Sequence, residues 1–236
     1  MVYLKNWEKN TWLSSKEYIN QFSNFLISNF KINKNTRILD IGCGRANIIS
    51  HLHEKIKFIS KPIGIDIYKN NNLKKNIIFK QINGMTFLKR SNDKFDMILI
   101  KQTIHFFELK YLHILLNLAK KKLLKDGKIL IFLLNSNENR IPVFNKMEKK
   151  LKSSLKRDNK IIKKIKINFK KYWSTKFTFH VNISKKQYIE MIRQKYISCL
   201  MDLQKKEIEQ GIIEIEEKYK NNLRFKDVLD CFVYKA

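Results

Sequence analysis

Two glycines spaced by one residue, Gly42 and Gly44, follow a carboxylate, Asp40, that sits within a short apolar run of Ile38, Leu39 and Ile41. A helical pattern begins just beyond them. This order brings backbone N–H groups and a carboxylate to the C-terminal end of a strand in an open α/β sheet, the edge at which nucleotide-like ligands bind. A dinucleotide fingerprint would need glycine at the first, third and sixth positions. Counted from Gly42, the sixth position is Asn47, so that fingerprint fails. The small residue comes earlier, as Ala46.

Four further segments follow in order. Residues 62–67 form an apolar run ending at Asp66, about twenty residues beyond the glycines. An acid at the end of a second strand is placed to accept hydrogen bonds from both hydroxyls of a ribose, and Ile67 after it can pack on an adenine face. Ile77, Ile78 and Phe79 lead to Asn83, Gly84 and Met85, where the Asn83 side chain offers a carbonyl acceptor. Residues 95–100 are a fourth apolar run, opening into the loop Lys101-Gln102-Thr103-Ile104-His105-Phe106. Leu123 and Leu124 then lead through Lys125-Asp126-Gly127 into the apolar stretch 129–134.

In this order the five segments resemble the class I S-adenosylmethionine (SAM)-dependent methyltransferases. The resemblance implies a Rossmann-like α/β fold with a seven-stranded, mostly parallel sheet, helices on both faces and a C-terminal helical lid. It implies that SAM is the cofactor, with Asp40, Gly42, Cys43 and Gly44 at its methionine end and ribose. Asp66, Ile67, Asn83, Gly84 and Met85 would hold its adenosine, and Lys101 would stand beside it. Three departures from the family pattern are Ala46 for the commonest glycine, Asn83 where the family often has an Asp, and the absence of proline in the 125–127 turn.

Composition limits the alternatives. At 236 residues and 44% hydrophobic, the chain can bury a full core. It reads as one domain, with a cap helix over 1–35, a SAM-binding core over 36–135, and a lid with the last strands over 136–236. No internal repeat and no Pro- or Gly-rich linker argues for a second domain. Apolar runs are too short to span a membrane, the first residues lack a secretory apolar core, and three cysteines build no disulfide framework or metal spacing. A cytoplasmic protein without a metal is expected.

The net charge of +28 invites a nucleic-acid partner. However, 42 of the 49 basic residues are lysine, asparagine and isoleucine are also abundant, and all three share A/T-rich codons. Surfaces that read phosphates tend to be clustered and richer in arginine. A solvated lysine-rich surface is the favoured reading, and residues 146–171 hold what is left of the case for an anionic partner.

Around the core, Ser14, Ser15 and Glu17 mark a helix start, continued by Tyr18, Phe22, Phe25, Leu26 and Phe30 at helical spacing. Helices are expected at about 46–56, 108–124 and 141–157, a fifth strand at about 128–134, and only a turn between the second and third strands. Residues 161–169 and 177–181 alternate as strands do, 184–203 and 204–220 read as amphipathic helices, and 223–234 as a closing strand.

The methyl acceptor is less legible. The loop at 101–106 lacks the Asn/Asp-Pro-Pro-aromatic motif of exocyclic-amine enzymes, a cysteine for cytosine C5 chemistry, and the acid of ribose 2′-O enzymes. Base-nitrogen methylation of RNA stays open, and so does a SAM-binding protein without catalysis. The resemblance is strongest to a small-molecule group that includes trans-aconitate methyltransferases and methyltransferase type 11 proteins. It extends to Trp12 and Tyr18, which in that group open the helix that folds over the site; core packing is the other reading. His105 is the first candidate for a proton acceptor, or else a helix cap, and Gln102 for positioning the acceptor. His51 and His53 point to different faces of one helix. In the lid, Arg193 could grip a carboxylate in fork geometry, or pair with a neighbouring acid; Tyr196 adds a phenol. Oligomeric state is not legible.

Overall fold

The computed structural model describes residues 10–170, 172–220 and 222–236. Within them the glycine loop, its strand and the helices on either side arise where the side-chain periodicity places them. Helix α1 (Lys16–Phe30) is capped by Ser15, whose Oγ accepts from the Tyr18 N–H at 3.1 Å. Strand β1 (Ile38–Ile41) runs to the glycines and α2 (Asn47–Ile56) leaves them. Strand β2 (Ile63–Asp66) passes without a helix to β3 (Ile78–Gln81), and α3 (Gly84–Arg90) leads to β4 (Phe95–Lys101). Helix α4 (Leu112–Lys121) precedes β5 (Leu123–Leu134). Then come α5 (Asn145–Asn168), β6 (Tyr172–Ile183), α6 (Lys185–Arg193), α7 (Lys205–Lys218) and β7 (Leu223–Lys235).

The seven strands lie in the order β3-β2-β1-β4-β5-β7-β6. β1 to β5 are parallel, and β7 is antiparallel to both β5 and β6. The order reverses between β1 and β4, where the chain crosses from one half of the sheet to the other. Both faces are covered, so the central strands are apolar on successive residues rather than on alternate ones. In β4, Met97 and Leu99 join the core under α1, α2 and the lid, while Ile98 and Ile100 join the core under α3, α4 and α5.

The structure departs from three sequence expectations. Residues 161–169 are not a strand but mostly the last turns of α5. Ile161 and Ile165 lie four apart, are fully buried, and pack with Phe169 against α4, while the intervening lysines take the outer face. The helix expected over 184–203 stops at Arg193, because Lys195 turns left-handed (φ 52°) and its ammonium donates to the Met201 and Leu203 carbonyls at 3.0 and 2.5 Å. Strand β5 begins at Leu123 rather than near 128, and the pairing with β4 shifts at the turn residues, where Asp126 is left-handed (φ 63°).

The segment before α1 is tied to the far end of the chain. Trp12 Nε1 donates to Asp227 Oδ2 on β7 at 2.9 Å, in a buried setting. The Trp12 ring stands edge-on to Tyr196 and Phe225, with centroids 5.3 and 5.2 Å away. Below it, Tyr18 and Phe22 pack α1 onto Phe177 and Phe179 of β6 and Phe132 of β5. Trp12→Phe keeps the ring and removes the donor, leaving one Asp227 oxygen short of a partner. That loss should cost about 1.5–3 kcal/mol, lowering Tm by roughly 3–12 °C for a chain of this size; a thermal melt with no change would show that the bond is not made.

Candidate active site

At the C-terminal ends of β1, β2 and β4 a cavity of about 480 Å³ opens. Its floor is the glycine loop. Gly42 holds a positive φ of 78°, and a Cβ there would lie 2.2 Å from Thr103 Oγ1, so no other residue fits without moving the loop after β4. The Thr103 hydroxyl lies 3.1 Å from the Lys101 carbonyl and 3.3 Å from that of Gly42, joining the two loops. Ala46 also adopts the left-handed region (φ 60°) as the entry to α2.

Asp66 closes the second side. One oxygen accepts from the Gly44 N–H at 2.9 Å and the other from the Tyr68 N–H at 3.0 Å. A carboxylate has about four lone-pair sites, so two remain for ribose hydroxyls. Ile67, almost half exposed, lines the cavity with Asn83, Gly84 and Met85. Asn83 caps α3, its Oδ1 accepting from the Met85 N–H at 2.9 Å, which leaves its amide donors and a second lone pair facing outward. Lys101 lines the cavity with its ammonium 5.2 Å from the Tyr18 ring and 5.4 Å from the Phe22 ring.

A second cavity, of about 250 Å³, shares the walls Gln102 and Phe106 with the first. Trp12, His105 and Tyr196 line it, as do Arg157, Asp158 and Asp227, which the sequence reading did not single out. Its remaining walls are mostly apolar, from β5, α5 and the lid. Gln102 sits at the junction in a left-handed conformation (φ 54°), a strained placement for a side chain that turns it between the two spaces.

Burial dominates the electrostatics here. His105 keeps part of its surface in solvent, but its Nδ1 is buried without a hydrogen-bond partner. Desolvation, reinforced by the Arg157 charge, pulls its pKa down to about 4. The ring is therefore neutral at physiological pH and a weaker base than an ordinary histidine. Asp158 moves the other way, pushed up to about 6 by burial with Arg157 opposing. Asp227 is also raised by burial, partly offset by its bonds from Trp12 and Asn139 and by the Lys101 charge. The buried Tyr196 phenol is raised well above its usual range, and lies 2.9 Å from the Tyr188 hydroxyl.

Not every expected residue joins the two cavities. Asp40 is buried within β1 beside Gly64 and Leu99, and Cys43 is buried with its thiol against Gly64; neither lines a cavity. Tyr18 is fully buried beneath, in the aromatic cluster. Arg193 lies outside, forked onto Glu209 with both contacts at 3.3 Å. His51 faces Glu54 at 3.6 Å and His53 stacks on Phe58, away from both cavities.

Two of the missed residues carried a signal. Leu223, Phe225, Asp227 and Leu229 share the inward face of a period-two pattern, which makes Asp227 an acid at a core position. Likewise Met147, Leu151, Asp158, Ile161 and Ile165 form one helical stripe in which Asp158 is the exception.

The His105 shift has a measurable consequence. The unfolded chain takes up this proton near pH 6.5 and the native one near 4, so between these values the unfolded state binds more protons. The contribution is complete above 6.5 and is lost as pH falls towards 4. Asp158 has the opposite sign, stabilising at low pH and losing that as pH rises from 3.8 to about 6. Comparing His105→Gln with the unaltered protein cancels Asp158. Urea unfolding from about pH 7 to 4 should show the unaltered protein losing on the order of 2–3 kcal/mol relative to the variant; parallel curves would refute the shift.

With the geometry in hand, the chain can be set beside known proteins. A family model described as a methyltransferase domain matches residues 15–178, from α1 into β6. No curated protein sequence matches the chain. Among solved structures, the fold is similar to that of YjhP from E. coli, with 12% identity, 98% of each chain covered and a TM-score of 0.57. It is also similar to a putative methyltransferase from an antibiotic biosynthesis pathway of Anabaena variabilis (11% identity, 89% of this chain and 96% of that one, TM-score 0.59). A third is a SAM-dependent methyltransferase from Geobacter sulfurreducens in complex with S-adenosylhomocysteine (14% identity, 92% and 90%, TM-score 0.53). At such identities the likeness is one of fold.

Proposed function

Because the chain belongs to the methyltransferase-domain family, we propose that it binds SAM in the larger cavity and transfers its methyl group to a small-molecule acceptor in the smaller one. The observation that carries this reading is the shared wall: Gln102 and Phe106 belong to both cavities, so a donor and an acceptor bound there would meet. The residues of the larger cavity fit SAM. Gly42 and Gly44 leave the backbone bare for its methionine end, Asp66 has lone pairs for the ribose, and Ile67 and Met85 offer apolar surface to the adenine. When bound, SAM supplies an electrophilic methyl on a sulfonium. What the chain contributes is alignment and the exclusion of water: Trp12 and the lid roof the acceptor, and Gln102 orients it.

The size of the smaller cavity supports a small acceptor, since drug-sized ligands occupy roughly 300–1,000 Å³. The lysines give RNA little support. Exposed ones occur on α1 (Lys16), at the end of α2 (Lys55), on the edge strand β3 (Lys80) and along α5, rather than in one stripe. Among the described residues no helix is long and apolar enough to cross a membrane. Cys43, Cys199 and Cys231 are free thiols, which supports a reducing compartment such as the cytoplasm.

Calorimetry tests the reading directly. SAM and S-adenosylhomocysteine should both bind, and Asp66→Asn should weaken both about 10- to 100-fold, or about 1.4–2.8 kcal/mol. Absence of binding by either ligand would reject the function.

A further inference from the structure

The smaller cavity has a polarity unlike the surface around it. The chain carries 49 basic and 21 acidic residues, yet two carboxylates, Asp158 and Asp227, face this one space. Asp227 is engaged by Trp12 and Asn139 at 2.9 and 3.2 Å. Asp158 makes neither a hydrogen bond nor an ion pair with any described residue, although its burial makes its charge costly. His105 lines the same space, but its Nδ1 is enclosed by protein and has no hydrogen-bond partner among the described residues. Arg157, which also lines this cavity, is exposed and turns its guanidinium to the Phe107 carbonyl at 3.2 Å. A half-buried carboxylate without a protein partner, set in an apolar wall, is answered by a ligand that donates and carries positive charge.

Around these groups the walls are apolar and aromatic, including Trp12, Phe106, Leu134, Ile141 and Leu155. A ring or alkyl body fits against them, and its polar head must carry N–H donors and, opposite a carboxylate, positive charge. We infer that the methyl acceptor is an amine, a small apolar or aromatic body bearing a primary or secondary nitrogen, held as its ammonium by Asp158 in the cavity that His105 also lines. This rests on the methyltransferase reading above.

Balance of charge gives Asp158 a second task. An ammonium has no lone pair, so one proton must leave before transfer, and the Asp158 carboxylate accepts it and passes it to solvent. The nitrogen lone pair then forms the bond to the methyl carbon while the carbon–sulfur bond breaks and its electron pair stays on sulfur. The product leaves as a methylated ammonium, with one proton released per turnover.

The test is a calorimetric titration of the protein saturated with S-adenosylhomocysteine. The probes are 2-phenylethylamine and n-hexylamine, each with its matched alcohol and carboxylate. At least one amine should bind roughly tenfold or more tighter than its alcohol, with the carboxylate weakest. Asp158→Asn should abolish that preference and leave the affinity for S-adenosylhomocysteine unchanged, since Asp158 does not line the larger cavity. Equal or stronger binding of an alcohol or carboxylate, binding of none of the probes, or an amine preference that survives Asp158→Asn would overturn the assignment. Failure to bind S-adenosylhomocysteine would instead fault the methyltransferase reading.

Discussion

The structure turns on the contact between two loops that are sixty residues apart in sequence. Gly42 after β1 and Thr103 after β4 occupy the same corner, so closely that a single methyl group on Gly42 would overlap the Thr103 hydroxyl. The contact exists because the strand order reverses between β1 and β4. At that reversal the connections leave to opposite faces of the sheet, and a crevice opens between the strand ends. With Thr103 held against Gly42, Gln102 has one place to go, at the partition between the two cavities. The larger cavity, the partition and the smaller cavity all follow from that approach.

The smaller cavity is closed by a different means. Its roof comes from the segment before α1 and from the helices inserted between β6 and β7, and the buried bond from Trp12 to Asp227 joins the two. The same carboxylate lines the cavity, so one side chain serves both closure and polarity. Burial there reverses the usual order of basicity. His105, an ordinary base by type, is held neutral, while Asp158 is lifted towards the range in which a carboxyl can exchange a proton. Residue type alone points to the histidine; the environment favours the aspartate.

Much of this was legible in the residues. Asp66, Ile67, Asn83 and Met85 were readable because each follows directly on a strand end, and chain order alone fixes what lies at that edge. His105, Gln102, Trp12 and Tyr196 do meet in one cavity. Arg193 does not, because Glu209 on the next helix takes its guanidinium and the pair faces solvent. Residues 161–169 misled because lysines among isoleucines satisfy a period of two as well as one of four, and only packing against α4 distinguishes them. Asp158 and Asp227 broke apolar patterns, but such a break reads equally as a solvated residue until the opposing wall is known.

By itself, then, the sequence determined the order of the five parallel strands, the glycine turn with its carboxylate at the sheet edge, and so the class of ligand that edge can hold. These depend on neighbours within a few residues, where backbone geometry and side-chain period act directly. The tertiary structure decided the smaller cavity: which faces of α5, β7 and the lid converge, which charges lose their water, and which of them find no partner. Those properties belong to pairs of residues as far apart as Trp12 and Asp227, 215 positions along the chain, and desolvation is set by everything that surrounds a group rather than by what precedes it.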